Sequence, residues 1–171
     1  MRRKNYSVLM ENLKRRVELS RAASLTTIFV FAILLGVIVL NWNLAPGAGV
    51  VSFALIAISL AVSLCHAPMS VSLDDKCVCV NSSLKIRLIP FAEIVSVERY
   101  KPSKLAVRLF ASGGFMGYWG VFSEKSIGRY TAYYGDESDC FMVTLRSGRK
   151  YVLGCKDADR MVAEITARMS E

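Results

Sequence analysis

No Lys, Arg, Asp or Glu occurs anywhere from Ala22 to Leu73. A soluble helix breaks such a stretch much sooner, because the face it turns to water needs charged or polar side chains. Crossing the hydrocarbon of a bilayer takes about 20 apolar residues at 1.5 Å rise each, so this stretch holds two crossings. Asn41, Trp42 and Asn43, followed by Pro46, Gly47 and Gly49, interrupt it with polar and turn-forming residues. The reading is a hairpin of transmembrane spans at 23–42 and 47–66, with Trp42 at the water-facing end of the first. A cleaved signal peptide fits poorly, because leader residues 1–22 mix acidic with basic side chains and the apolar run outlasts a signal core.

Charge gives the hairpin a direction. The chain carries a net charge of +8, and Arg2, Arg3, Lys4, Lys14, Arg15, Arg16 and Arg21 all precede the first span, against Glu11 and Glu18. The turn between the spans has no charge. Basic residues stay on the cytoplasmic side, and two crossings return the chain there, so both termini are expected in the cytoplasm. Anionic headgroups attract such a leader by about 1 kcal/mol per basic residue, which accounts for the charge without nucleic acid. Leu9, Leu13 and Val17 stand at i, i+4 and i+8, the stripe of an amphipathic helix lying on the membrane. The leader reads equally as a topology signal alone.

Little in the chain points to catalysis. His66 is the only histidine, and on a helix its neighbour Cys65 does not face it, so no nucleophile and base pair forms there. Cys65, Cys77, Cys79, Cys140 and Cys155 make an odd count, expected as free thiols on a cytoplasmic domain. Cys77 and Cys79 project from one face of a strand, but a C-x-C without a second pair or a nearby histidine makes a poor metal site. Cys140 or Cys155 as a nucleophile would lack a base, and the glycines of 113–120 lack the G-x-x-x-x-G-K order of a phosphate loop. The expectation is no enzyme, no metal and no cofactor.

After Pro68 the pattern turns to short alternating runs with turn signals between them. Strands are expected at 69–73, 76–80, 84–89, 94–100, 127–134, 140–145 and 150–153, with one helical turn at 90–93. A closing helix starts near Asp157 and places Val162, Ile165 and Met169 at helical spacing. The expected fold is a two-helix transmembrane hairpin followed by a mainly-β (α+β) domain, a seven-stranded antiparallel, partly open barrel capped by the C-terminal helix.

Within that domain, Arg108-Leu109-Phe110-Ala111-Ser112-Gly113-Gly114-Phe115-Met116-Gly117-Tyr118-Trp119-Gly120-Val121-Phe122 is followed by Gly128-Arg129-Tyr130-Thr131-Ala132-Tyr133. A glycine and aromatic block of this kind, then a strand close to "GRYxAY", resembles the bacterial pleckstrin-homology-like (PH-like) domain family. The likeness covers about 69–171. It implies a PH-like fold, often joined to membrane spans, with no common ligand, and it places the chain in a bacterial cytoplasmic (inner) membrane as a multi-pass protein. Lipid-binding PH domains hold inositol phosphates with basic residues about the first hairpin. Here that hairpin turns through Asp74-Asp75, and Lys85 and Arg87 are too few to replace them.

Residues 101–126 are glycine-rich and aromatic with weak strand character, and within them Phe115, Tyr118, Trp119 and Phe122 stand at i, i+3, i+4 and i+7, which one helical face would gather. Three interleaved glycines cost such a helix roughly 1 kcal/mol each, so it would need support. These aromatics either plug the barrel as core or dip into the membrane interface or a partner. Lys101, Lys104, Arg108, Lys125 and Arg129 flank them and complete the candidate interaction surface. The function expected is a membrane-anchored interaction module binding anionic lipid headgroups or a protein partner. The alternative is a structural subunit of a membrane complex or a homo-oligomer, suggested by the small-residue pairs Ala32/Gly36 and Ala57/Ala61.

Overall fold

The structure, a computed structural model, describes residues 14–169. Two long helices come first, α1 (Arg21–Leu44) and α2 (Pro46–His66). The Ser20 side chain caps α1 by accepting from the Ala23 N–H at 3.2 Å. Pro46 opens α2 at a position where a helix has no use for an N–H. The turn is tighter than the sequence suggested. Asn41–Asn43 stay helical, and Ala45 alone separates the helices. Asn41 Nδ2 donates across to Ser52 Oγ at 3.0 Å, and a Cβ on Gly49 would lie 2.9 Å from the Trp42 ring, so the glycine lets the helices close on each other. Both helices are long and apolar enough to cross a membrane, and only 6% and 11% of their apolar windows are buried. A core helix of a soluble protein would be covered, so these faces are left for another medium.

The remainder forms two open sheets. The first, in order, holds β1 (Lys14–Arg16), β2 (Pro68–Leu73), β3 (Cys77–Ser82) and β4 (Ile86–Pro90). A 3-10 turn at Phe91–Glu93 leads into the second sheet. Its strands are β5 (Ile94–Arg99), β6 (Val107–Gly114), β7 (Gly117–Glu124), β8 (Gly128–Tyr134), β9 (Cys140–Leu145) and β10 (Lys150–Gly154), in the order β5-β9-β10-β8-β7-β6. Helix α3 (Ala158–Met169) closes the chain.

Three expectations are corrected. There are ten strands among the described residues rather than seven, because the glycine and aromatic block supplies β6 and β7 and the leader supplies β1. The sheet is not wholly antiparallel. The β9–β10 hairpin inserts as a unit beside β8, which makes β8 and β10 parallel, with Val152 opposite Ala132. Finally, Lys14–Arg16 is a strand, with Arg15 opposite Val71, so Val17 follows a β-strand rather than continuing a helix. Leu9 and Leu13 of the expected stripe lie outside the described residues.

Two apolar clusters sit on opposite faces of the six-stranded sheet. One joins Val71, Val78 and Ile89 of the first sheet to Phe141, Val143 and Leu153 of the second, closed by Met161 and Ile165 of α3. The helix therefore covers the gap between the sheets, as expected of a cap. The other cluster gathers Phe122, Tyr130, Tyr134 and Met142 around Val152. β7 runs between the two, which fixes where its side chains go. Leu153→Ala, at a fully buried position, is expected to lower the unfolding free energy of the detergent-solubilised protein by about 2–5 kcal/mol. Leu88→Ala, on an exposed face, should change it by less than about 0.5 kcal/mol.

Candidate functional site at the junction of helices and domain

The β6–β7 hairpin reaches the helices with its tip. Gly114 pairs with Gly117, leaving Phe115 and Met116 as a two-residue turn. Gly114 and Gly117 have φ of 115° and 92°, a region open to glycine, and Met116 sits at 53°. Thr27, in the second turn of α1, holds this tip. Its Oγ1 accepts from the Met116 N–H at 2.9 Å, and its hydroxyl lies 2.7 Å from the Ala23 carbonyl and 3.3 Å from the Gly114 carbonyl. Phe115 lies against Phe31 of α1 with ring centroids 5.5 Å apart. Trp119 stacks on His66, the last residue of α2, also at 5.5 Å. Its indole N–H donates to the Phe115 carbonyl at 3.2 Å, and Ser112 Oγ donates to the same oxygen at 2.9 Å.

The four aromatics thus divide. They do not share a helical face, because β7 alternates them across a strand. Phe122 is core, Tyr118 stacks on Tyr134 at 4.8 Å over the second cluster, Trp119 packs towards the first, and Phe115 is at the tip. Gly120 shows why the ladder prevails over the helix. Its φ of 110° and the Phe110 carbonyl that a Cβ would strike require a glycine at this point of the β6–β7 pairing.

The basic residues divide too. Lys125 follows β7 and Arg129 lies in β8 opposite Ser123, at the end of the hairpin away from the helices. Lys101 and Lys104 lie exposed in the segment leading into β6. That segment is tied down by the buried Glu124, which accepts from the Tyr100 hydroxyl and, at 2.9 Å, from the Ser103 N–H. Arg108 alone turns back towards the tip, its guanidinium lying over Gly113 where a Cβ would obstruct it. Beside this far end Phe110 is 86% exposed on β6, a sheet edge.

Two basic residues outside the candidate set drawn from the sequence line a cleft of their own. Lys14 and Arg16 line a cleft of about 710 Å³ between β1, the β2–β3 strands and the first turns of α1. No local signal marks them, since Lys14, Arg15 and Arg16 are all basic and show no alternation. Residues 14–20 are woven into the domain. Val17 N–H donates to the Met69 carbonyl at 2.9 Å, Ser20 N–H to Gly135 at 3.0 Å, and Lys156 N–H to Arg16 at 2.9 Å.

The thiols are protected. Burial first, and Asp139 second, push the Cys155 thiol from its ordinary 9.0 up to about 12, against the opposing pull of Arg15 and Arg99. Burial raises Cys140 as well, helped by Asp136. Asp74, Cys77 and Cys79 gather at the turn of the first hairpin, their ligand atoms within 4.8 Å of one another. Burial and the contact with Cys77 Sγ at 3.6 Å raise Cys79 to about 12. Cys79, Cys140 and Cys155 are therefore protonated at neutral pH and make poor nucleophiles.

The sequence profile described as bacterial PH domain matches residues 69–169. The chain belongs to the bacterial PH domain family. No curated protein and no solved structure matches it. PH domains are generally non-catalytic binding modules, and the elements to weigh here are the tip, the cleft and the exposed edge. In this PH domain the first hairpin turns through Asp74 and Asp75 at the end away from the cleft, which opens beside Ser82 and Ser83.

Thr27→Val removes the acceptor for the Met116 N–H and should lower stability by about 1–3 kcal/mol in thermal unfolding of the solubilised protein, whereas Thr27→Ser keeps it. Folded Cys155 retains a proton that the unfolded chain releases, so its contribution to stability should be lost as pH rises from 9.0 towards about 12. Cys155→Ala should flatten that alkaline slope in chemical denaturation.

Proposed function

We propose that this protein is a non-enzymatic, membrane-tethered binding module of the bacterial cytoplasmic membrane. α1 and α2 cross the bilayer as a hairpin, both termini stay in the cytoplasm, and the PH domain works at the membrane surface on lipid headgroups or a protein partner. The observation that carries this reading is the contact of the β6–β7 tip with both helices, through Thr27, Phe31 and His66. A domain held that way meets its ligand at a fixed height above the bilayer. Tethering raises effective concentration to the millimolar range, so a weak site suffices. The basic residues before α1 and the uncharged turn at Ala45 support the orientation.

A second reading, as an accessory subunit or a homo-oligomer, is favoured by one feature. β6 is an unpaired sheet edge bearing exposed Leu109 and Phe110, the kind of edge that a further strand can extend. A cysteine placed at Leu109 would then crosslink to a partner in whole membranes.

The topology is tested by cysteine labelling in a variant stripped of native cysteines. Ala45→Cys should react with a membrane-impermeant maleimide added to intact cells with a permeabilised outer envelope, and Ser147→Cys should react only after lysis. The reverse pattern, or release of the chain by alkaline carbonate, would sink the reading.

A further inference from the structure

The cleft between domain and helix α1 has a composition that selects its occupant. Its volume of about 710 Å³ lies within the roughly 300–1,000 Å³ of small-molecule sites. One wall is basic. Lys14 and Arg16 stand on the same face of β1, and neither meets a carboxylate among the described residues, whereas Arg15, pointing the other way, lies 3.8 Å from Asp157. Among the described residues no acidic side chain lines the cleft. Leu19, Phe31 and Met116 wall the cleft with apolar side chains, and the polar Ser70, Asn81, Ser82 and Ser83 line it too. Thr27 and Phe31 belong to α1 itself, so the cleft is open along the helix that the proposed function sends into the bilayer.

Two cations in one cleft with apolar side chains call for an amphiphile with a negative head. A free phosphate would leave those apolar side chains wet, and residues 1–13 are an unsuitable filling because Arg2, Arg3 and Lys4 outnumber Glu11 there. We propose that the cleft holds one anionic phospholipid from the cytoplasmic leaflet, its phosphate between Lys14 and Arg16 and an acyl chain against Phe31 and Leu19. The site differs from the first-hairpin turn, which is acidic here. This assignment rests on α1 being a membrane span.

The test uses the full-length protein in a neutral detergent, followed by thermal unfolding with added phosphatidylglycerol, phosphatidylcholine or inorganic phosphate. Phosphatidylglycerol should raise the midpoint and the other two should not. The double variant K14Q/R16Q should unfold at the same temperature without lipid, both side chains being exposed. Its apparent affinity for phosphatidylglycerol should fall about thirtyfold, at roughly 1 kcal/mol for each basic residue. K76Q/R146Q, which removes equal charge elsewhere, should bind as the parent does. An equal response to phosphatidylcholine, an undiminished response in K14Q/R16Q, or a response to phosphate alone overturns the assignment. So does lipid binding that appears only after residues 1–13 are removed, which would give the cleft to the leader. A chain that resists carbonate extraction yet ignores headgroup charge refutes the lipid site alone. A chain released by carbonate refutes the span as well.

Discussion

One threonine hydroxyl joins the two halves of this molecule. Thr27 Oγ1 accepts the backbone N–H of Met116 and lies near the carbonyls of Ala23 and Gly114, so a helix and a β-turn share a single polar atom. Ring contacts flank it, Phe31 on Phe115 and Trp119 on His66. Polar contacts of this kind weigh more where water is scarce, because a donor left unmatched there has no solvent to turn to. The glycines at 114 and 117 are what bring the turn close enough, with backbone angles that a side chain would resist.

The unequal legibility of this chain in its sequence follows from the range over which each signal acts. The two apolar helices, the β9 boundaries at Cys140–Leu145 and the capping helix were readable because each depends on local composition or periodicity. The glycine and aromatic block was only partly legible: it has weak strand character, yet Phe115, Tyr118, Trp119 and Phe122 also fit a helix by spacing, while the cross-strand partners of β7 lie in β6 and β8. Cross-strand pairing leaves no mark in that spacing. The parallel match of β10 to β8 is a choice of the same kind.

The candidate site was the least legible part. The aromatics drew attention as a group, yet the structure spreads them over a core, a stacking layer and a turn. Lys14 and Arg16 looked like topology charges, and their partner strand lies beyond both helices in sequence. A short three-residue strand of Lys and Arg carries no apolar alternation to announce itself. It is marked by position alone, next to the apolar helix α1 and along the cleft.

That short strand has a mechanical consequence. β1 precedes the first helix, β2 follows the second after the single residue Ala67, and the two strands are hydrogen-bonded. The feet of the helix pair are therefore clasped, since neighbouring strands stand only about 4.8 Å apart. Splaying the helices at that end requires unzipping β1 first. The strands that hold the feet of the helices together are also those that wall the cleft, so the helix pair and the cleft share one fastening.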